Sequence, residues 1–202
     1  MKPALIPSTL MTALIACTAW GQDAAAPHMP TRYRGIVQSF DSQVINVTTP
    51  DQRTTAILVP PKLIIKANNK ARLADIRVGD FVGSTSHAGP GGTLVADEVH
   101  LFPEFMRGTA EGHHEVGPAR YMTNGTVTRL PDGSQRTMTF KIPADAPVSI
   151  EVPVTTPVYV LVAVDRSLIQ PGKTATVIVA PRDGGGWVAV DMVVEKDGIL
   201  PR

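Results

Sequence analysis

Arg34-Gly35-Ile36-Val37-Gln38-Ser39-Phe40, then Asp41-Ser42-Gln43, Val44-Ile45-Asn46-Val47-Thr48, Pro50-Asp51-Gln52 and Thr54-Thr55-Ala56-Ile57-Leu58-Val59 decide the fold. Short runs rich in β-branched residues alternate with turn residues, which predicts an antiparallel meander. The pattern continues outward. After Pro60-Pro61, the apolar run Lys62–Ala67 is expected to close the sheet. Ala71–Ile76 is the best short helix, stopped by Val78-Gly79-Asp80. Phe81–Ser86 and Thr93–Phe102 are further strands around a Gly89–Gly92 turn. The 202 residues include 17 glycines and 18 prolines, a density of breakers that argues against long helices.

The second half repeats this plan. Asn124-Gly125-Thr126-Val127 parallels Arg34-Gly35-Ile36-Val37, and the Gly172 turn parallels the Gly79 turn. Gly185-Gly186-Trp187 through Val193 parallels Gly91-Gly92-Thr93 through Val99. The offsets are 90 at Gly35 and Gly125, 93 at Gly79 and Gly172, and 94 at Asp97 and Asp191. A nearly constant offset is the mark of a duplicated module with changed loops. Met138, Phe140 and Ile142 alternate onto one face, as do Val148, Ile150 and Val152, so both sets read as core. Val37, Phe81, Val99 and Val193 complete the expected core. The expected architecture is all-β: two tandem small OB-like antiparallel β-barrels, each with one short helical turn. A small sheet must close or cover its edges to avoid aggregation.

The Gly35-Ile36-Val37 strand, Leu73-Ala74-Asp75-Ile76-Arg77-Val78-Gly79-Asp80-Phe81-Val82, and Gly91 through Val99 resemble domain-of-unknown-function family 5666. These are exported bacterial proteins with a small OB-like barrel. The resemblance covers Tyr33 to Phe102. The second half departs from it at Pro171-Gly172-Lys173 and in the Pro-rich stretch from Asp145 to Pro157. It implies a β-barrel and an envelope location and carries no activity, because fold likeness does not supply one.

Met1-Lys2, the mostly apolar and uncharged run Ala4–Ala19, and Ala19-Trp20-Gly21 form the pattern of a secretory signal peptide. The single cysteine, Cys17, lies within it. Leu14-Ile15-Ala16-Cys17 resembles a lipobox, where the thiol would carry the lipid anchor of a lipoprotein. The alternative is a cut after Gly21 that discards Cys17. The chain divides into a signal peptide (1–21), a flexible tether (22–31), a first β-barrel module (32–103), a linker (104–120) and a second module (121–200). The expected location is periplasmic or secreted, with the membrane touched only through such an anchor.

Nineteen basic residues face eighteen acidic ones, for a net charge of +1, and aromatics make up 5% of the chain. That balance argues against nucleic acid as a partner, since stacking grooves need basic charge and exposed rings. Gly184-Gly185-Gly186 lacks the following Lys-Ser/Thr of a phosphate loop and reads as a hairpin turn. Ser84, Ser86 and His87 lack a nucleophile elbow.

The densest polar region runs from Glu98 to Glu115. Glu98, His100, His113 and His114 are the candidate metal ligands, because imidazole and carboxylate suit zinc or copper. Glu98 and His100 share a strand face at i, i+2. His28, Met29, Met106 and Met122 add a copper-like donor set. The opposing reading of Glu98–Glu115 is a solvated interdomain linker. Two function classes follow. The first is a non-enzymatic cell-envelope module that binds an envelope protein, a glycan or another surface component, with Trp187, Phe102 and Phe105 as candidate exposed rings. The second is a periplasmic divalent-metal-binding protein.

Overall fold

The computed structural model describes residues 31–132, 136–143 and 145–202. The signal segment, Cys17, His28, Met29 and nearly all of the tether lie outside the described residues. The strands are β1 (Thr31–Phe40), β2 (Val44–Thr48), β3 (Thr54–Leu58), β4 (Ile65–Ala71), β5 (Phe81–Ala88) and β6 (Leu94–Leu101). They continue with β7 (Gly112–Gly117), β8 (Arg120–Arg129), β9 (Thr137–Lys141), β10 (Val148–Glu151), β11 (Val158–Val164), β12 (Thr174–Pro181) and β13 (Trp187–Val194). The described residues are all-β, and their only helical elements are short 3-10 turns. The helix expected over Ala71–Ile76 is one such turn, Leu73–Asp75.

All thirteen strands belong to one hydrogen-bonded sheet, twelve of them in the order β10-β9-β8-β5-β6-β11-β4-β13-β12-β1-β2-β3, with β7 off this path and paired to β8. Each end of this path curls back on itself. β10 pairs with β6 through Ile150↔Leu94, and β3 pairs with β13 through Ile57↔Trp187. One five-stranded group is therefore β5, β6, β8, β9 and β10. The other is β1, β2, β3, β12 and β13. β4 and β11 pair antiparallel between them.

This connectivity corrects the tandem organisation. Residues 32–103 do not close on themselves: β1 pairs with β12, and β5 pairs with β8. One core joins Val37, Ile45 and Ile57 of the first half to Val177, Met192 and Val194 of the second. The other joins Val82 and Val99 to Val127, Met138, Phe140 and Ile150. The halves are interleaved. Nor is 104–120 a simple linker. Met106 is buried in the turn Glu104–Met106, and β7 pairs with β8.

The registers nevertheless carry the duplication. β4 and β11 meet as Ile65↔Val164, Asn68↔Leu161 and Ala71↔Val158. Residues 93 apart thus exchange places about the Asn68–Leu161 pair, as across a two-fold axis. The β1–β2 pair has a bulge between Val37 and Ser39, and the β8–β9 pair has one between Val127 and Arg129, 90 residues on. The β5–β6 bulge at Thr85/Ser86 recurs at Ile178/Val179 in β12–β13. Pairings on either side place Glu98 opposite Thr85 and Asp191 opposite Ile178, so Asp191 is the counterpart of Glu98, not of Asp97. That one-residue slip misplaces Val193. It is half-buried, while Met192 and Val194 fill the core, because neighbouring strand residues face opposite ways.

Gly35 and Gly125 show why both copies need glycine here. A Cβ on Gly35 would overlap the Thr48 carbonyl oxygen, and one on Gly125 would stand 2.7 Å from the Lys141 carbonyl oxygen. Each sits beside its bulge, where the neighbouring strand crosses too closely for a side chain.

Candidate functional site

The proposed metal ligands fall into separate places. Glu98 and His100 are together on β6, with His100 Nε2 3.4 Å from Glu98 Oε1. His113 and His114 lie on β7, which reaches β6 only across β8 and β5. Three inter-strand steps of about 4.8 Å separate the two pairs by about 14 Å. His113 and His114 are consecutive strand residues and so point to opposite faces. His113 Nδ1 is 2.8 Å from Thr123 Oγ1, and its ring stacks on Tyr121. Among the described residues no three His, Cys, Asp or Glu side chains stand close enough to share an ion. Met106 is buried as packing.

What the fold does assemble around His100 was not visible in the sequence. Register places Lys70 of β4, Tyr159 of β11 and His100 of β6 side by side in one row, and directly opposed residues share a face. The His100 ring lies 5.4 Å from Tyr159 and 6.4 Å from Phe102. Arg202 then reaches back from the end of the chain. Its Nη2 donates to the Tyr159 hydroxyl at 2.8 Å, its Nη1 stands 3.7 Å from Glu98 Oε2, and its guanidinium lies over the Tyr159 ring.

The counterpart pair in the other half explains this arrangement. There Lys66, almost fully buried, meets Asp191 at 2.5 Å, close but poorly aligned for a hydrogen bond. Tyr159 stands where Lys66 stands, so Glu98 loses the strand-borne cation that Asp191 has. Arg202 and His100 supply the charge instead. Burial pushes the Glu98 carboxyl up, but the hydrogen bond and charge of His100, with the charges of Arg202 and Arg120, outweigh it and hold it below its ordinary value.

A group whose folded pKa is depressed stabilises the fold above its unfolded pKa, about 4.3 for Glu, and loses that contribution as pH falls through the folded value. Urea melts should therefore show the wild type losing stability over Glu98→Gln as pH drops from neutral to below about 4. Parallel curves for the two proteins would remove Glu98 from the acid response.

Beside Tyr159 opens a cleft of about 340 Å³, lined by Lys70, Arg72, Arg136, Val154, Pro157 and Tyr159. Three cations border an apolar wall. Arg72 is held by Asp75: its Nη2 donates to Oδ1 at 2.9 Å and its backbone N–H donates to Oδ2 at 2.8 Å. Arg136 is anchored through Nε, which donates to the Val152 carbonyl at 3.0 Å. Among the described residues neither Lys70 nor Arg136 has a carboxylate within 4 Å.

The same recess in the other half is filled. Arg166, 93 residues beyond Leu73, lies over Phe40 and donates to the Pro60, Val59 and Ser42 carbonyls. In the cleft the shorter, apolar Leu73 stands in place of that arginine. Of the rings proposed as exposed, only Phe105 is (54%). Trp187 packs edge-on against Tyr33, and Phe102 packs against Phe81.

No family model, curated protein or solved structure matches the chain.

Proposed function

We propose that the protein is an exported, non-enzymatic binding module of the cell envelope, and that the cleft beside Tyr159 holds an anionic group of an envelope glycan or similar surface component. The observation that carries this reading is the cleft itself: among the described residues Lys70 and Arg136 lack carboxylate partners, on a recess that the other half fills with Arg166. Cations with no internal counter-charge, set around an apolar wall, favour a ligand carrying carboxylate or phosphate beside an apolar face. In this reading each five-stranded group is an OB-like barrel, the architecture that the resemblance to family 5666 implies, with its strands exchanged between the halves. Export rests on the N-terminal pattern, and Cys17 is the candidate anchor.

The test uses a sulfated polysaccharide as polyanionic probe and neutral dextran as control. The protein should retain the first, more weakly as salt rises, and ignore the second. Lys70→Glu with Arg136→Glu should weaken retention about tenfold or more without changing the fold. Equal retention by the double variant would remove the cleft from the function. The alternative of zinc or copper held by Glu98, His100, His113 and His114 predicts that titration with either ion is abolished by His113→Ala with His114→Ala. The separation of the two pairs gives that reading no geometric support.

A further inference from the structure

β1 and β8 are counterparts 90 residues apart, and their surroundings differ at one edge. On β8, Met122 lies opposite His114 and Asn124 opposite Gly112 of β7, so that edge is paired. The segment leading into β7 covers the adjoining face. Arg107 Nη1 donates to Thr126 Oγ1, and Asn124 Nδ2 donates to the Ala110 carbonyl.

The matching residues on β1 are Arg32, Arg34 and Ile36. The Val37 N–H donates to Lys173 and its carbonyl accepts from Gly172, so Val37 and the odd-numbered residues before it turn their backbone groups toward β12. Strand alternation turns those of Arg32 and Arg34 to the other edge, where β2 joins only from Ile36 onward. Among the described residues nothing pairs with Arg32 or Arg34 on that side. A cleft of about 730 Å³ runs beside them, and Ile36 is 41% exposed in it. Neither arginine has a carboxylate within 4 Å among the described residues.

We infer that this edge takes up an extended acidic peptide segment of another protein, added antiparallel to β1 as β7 is added to β8. The backbone groups of Arg32 and Arg34 supply affinity through strand pairing. Their side chains select carboxylates at alternate positions of the incoming strand. A second copy of this chain does not fit, since edge-to-edge pairing of two β1 strands would set arginines against arginines. The mode is separate from the cleft at Tyr159.

The test titrates the isotope-labelled protein, starting from its natural mature terminus, with the blocked peptide Glu-Val-Glu-Val-Glu-Val and with its Lys-for-Glu counterpart. The Arg32 and Arg34 amides should exchange quickly in the free protein and become protected by the acidic peptide. Shifts should stay near those residues and Thr48. The Lys peptide should have no effect. Arg32→Glu with Arg34→Glu should keep the wild-type circular dichroism and weaken binding of the acidic peptide about tenfold or more. Slow exchange of both amides in the free protein would mean the edge is already covered by the chain itself or by a second copy, and would overturn the proposal. So would equal response to both peptides, or unchanged binding by the double variant.

Discussion

Residues 31–104, expressed alone, should not form a folded monomer. Within that fragment β1 lacks β12, β5 lacks β8, and β4 lacks both β11 and β13. Each core would lose the residues the other half contributes: Val177, Met192 and Val194 from one, Val127, Met138 and Phe140 from the other. Uncovered strand edges are association sites. The fragment should therefore be unfolded, or should pair with a second copy of itself that takes the place of the missing half. Mixing it with residues 105–202 should restore native-like dispersion in the NMR spectrum. A dispersed spectrum from a monomer-sized fragment alone would show that each half has its own core after all.

Phe140→Ala should cost about 3–5 kcal/mol, the range for emptying a fully buried aromatic site. Phe140 has no solvent exposure and packs among Val82, Val99, Val127, Met138 and Ile150 in the second core. Its counterpart 93 residues earlier is Val47, equally buried but much smaller, so the two cores are filled differently. For a domain of this size each kcal/mol moves the midpoint by about 2–4 °C, and the expected fall is about 10 °C. Phe140→Val, which copies the counterpart, should recover part of the loss. An alanine variant that melts with the wild type would remove Phe140 from the core.

The reading from sequence was strongest where local pattern decides structure. Alternation put Met138, Phe140, Ile142 and Ile150 inside, because a strand has a period of two whatever it pairs with. Gly35 and Gly125 were matched correctly, because each is forced by a close crossing at its bulge. At the β12–β13 hairpin the paired glycines misled the count: Trp187 was matched to Thr93, but the registers make it the counterpart of Leu94, and that slip of one misassigned Val193.

The candidate site was legible only in part. Glu98 and His100 were found because i, i+2 spacing on a strand puts two side chains on one face. Tyr159 lies in the apolar run Val158–Val164 and Arg202 after an unremarkable tail, so neither bore any sign that they would meet Glu98. Lys70, Arg72 and Arg136 read singly as ordinary surface charges.

By itself, then, the sequence determined the all-β class, many of the strand positions (β7 and β11 among the exceptions), most core faces and the internal repeat, all of which follow from periodicity, turn residues and a constant offset. Only the tertiary structure decided which strands pair. A β-strand presents the same N–H and C=O groups to any partner, so two similar halves can close separately or exchange strands with equal local satisfaction. The structure takes the exchanged arrangement, and that choice joins the cores and brings Arg202 to Glu98; beside it lie a cleft where Leu73 replaces Arg166 and an edge at Arg32 and Arg34 that, among the described residues, lacks the strand its counterpart has.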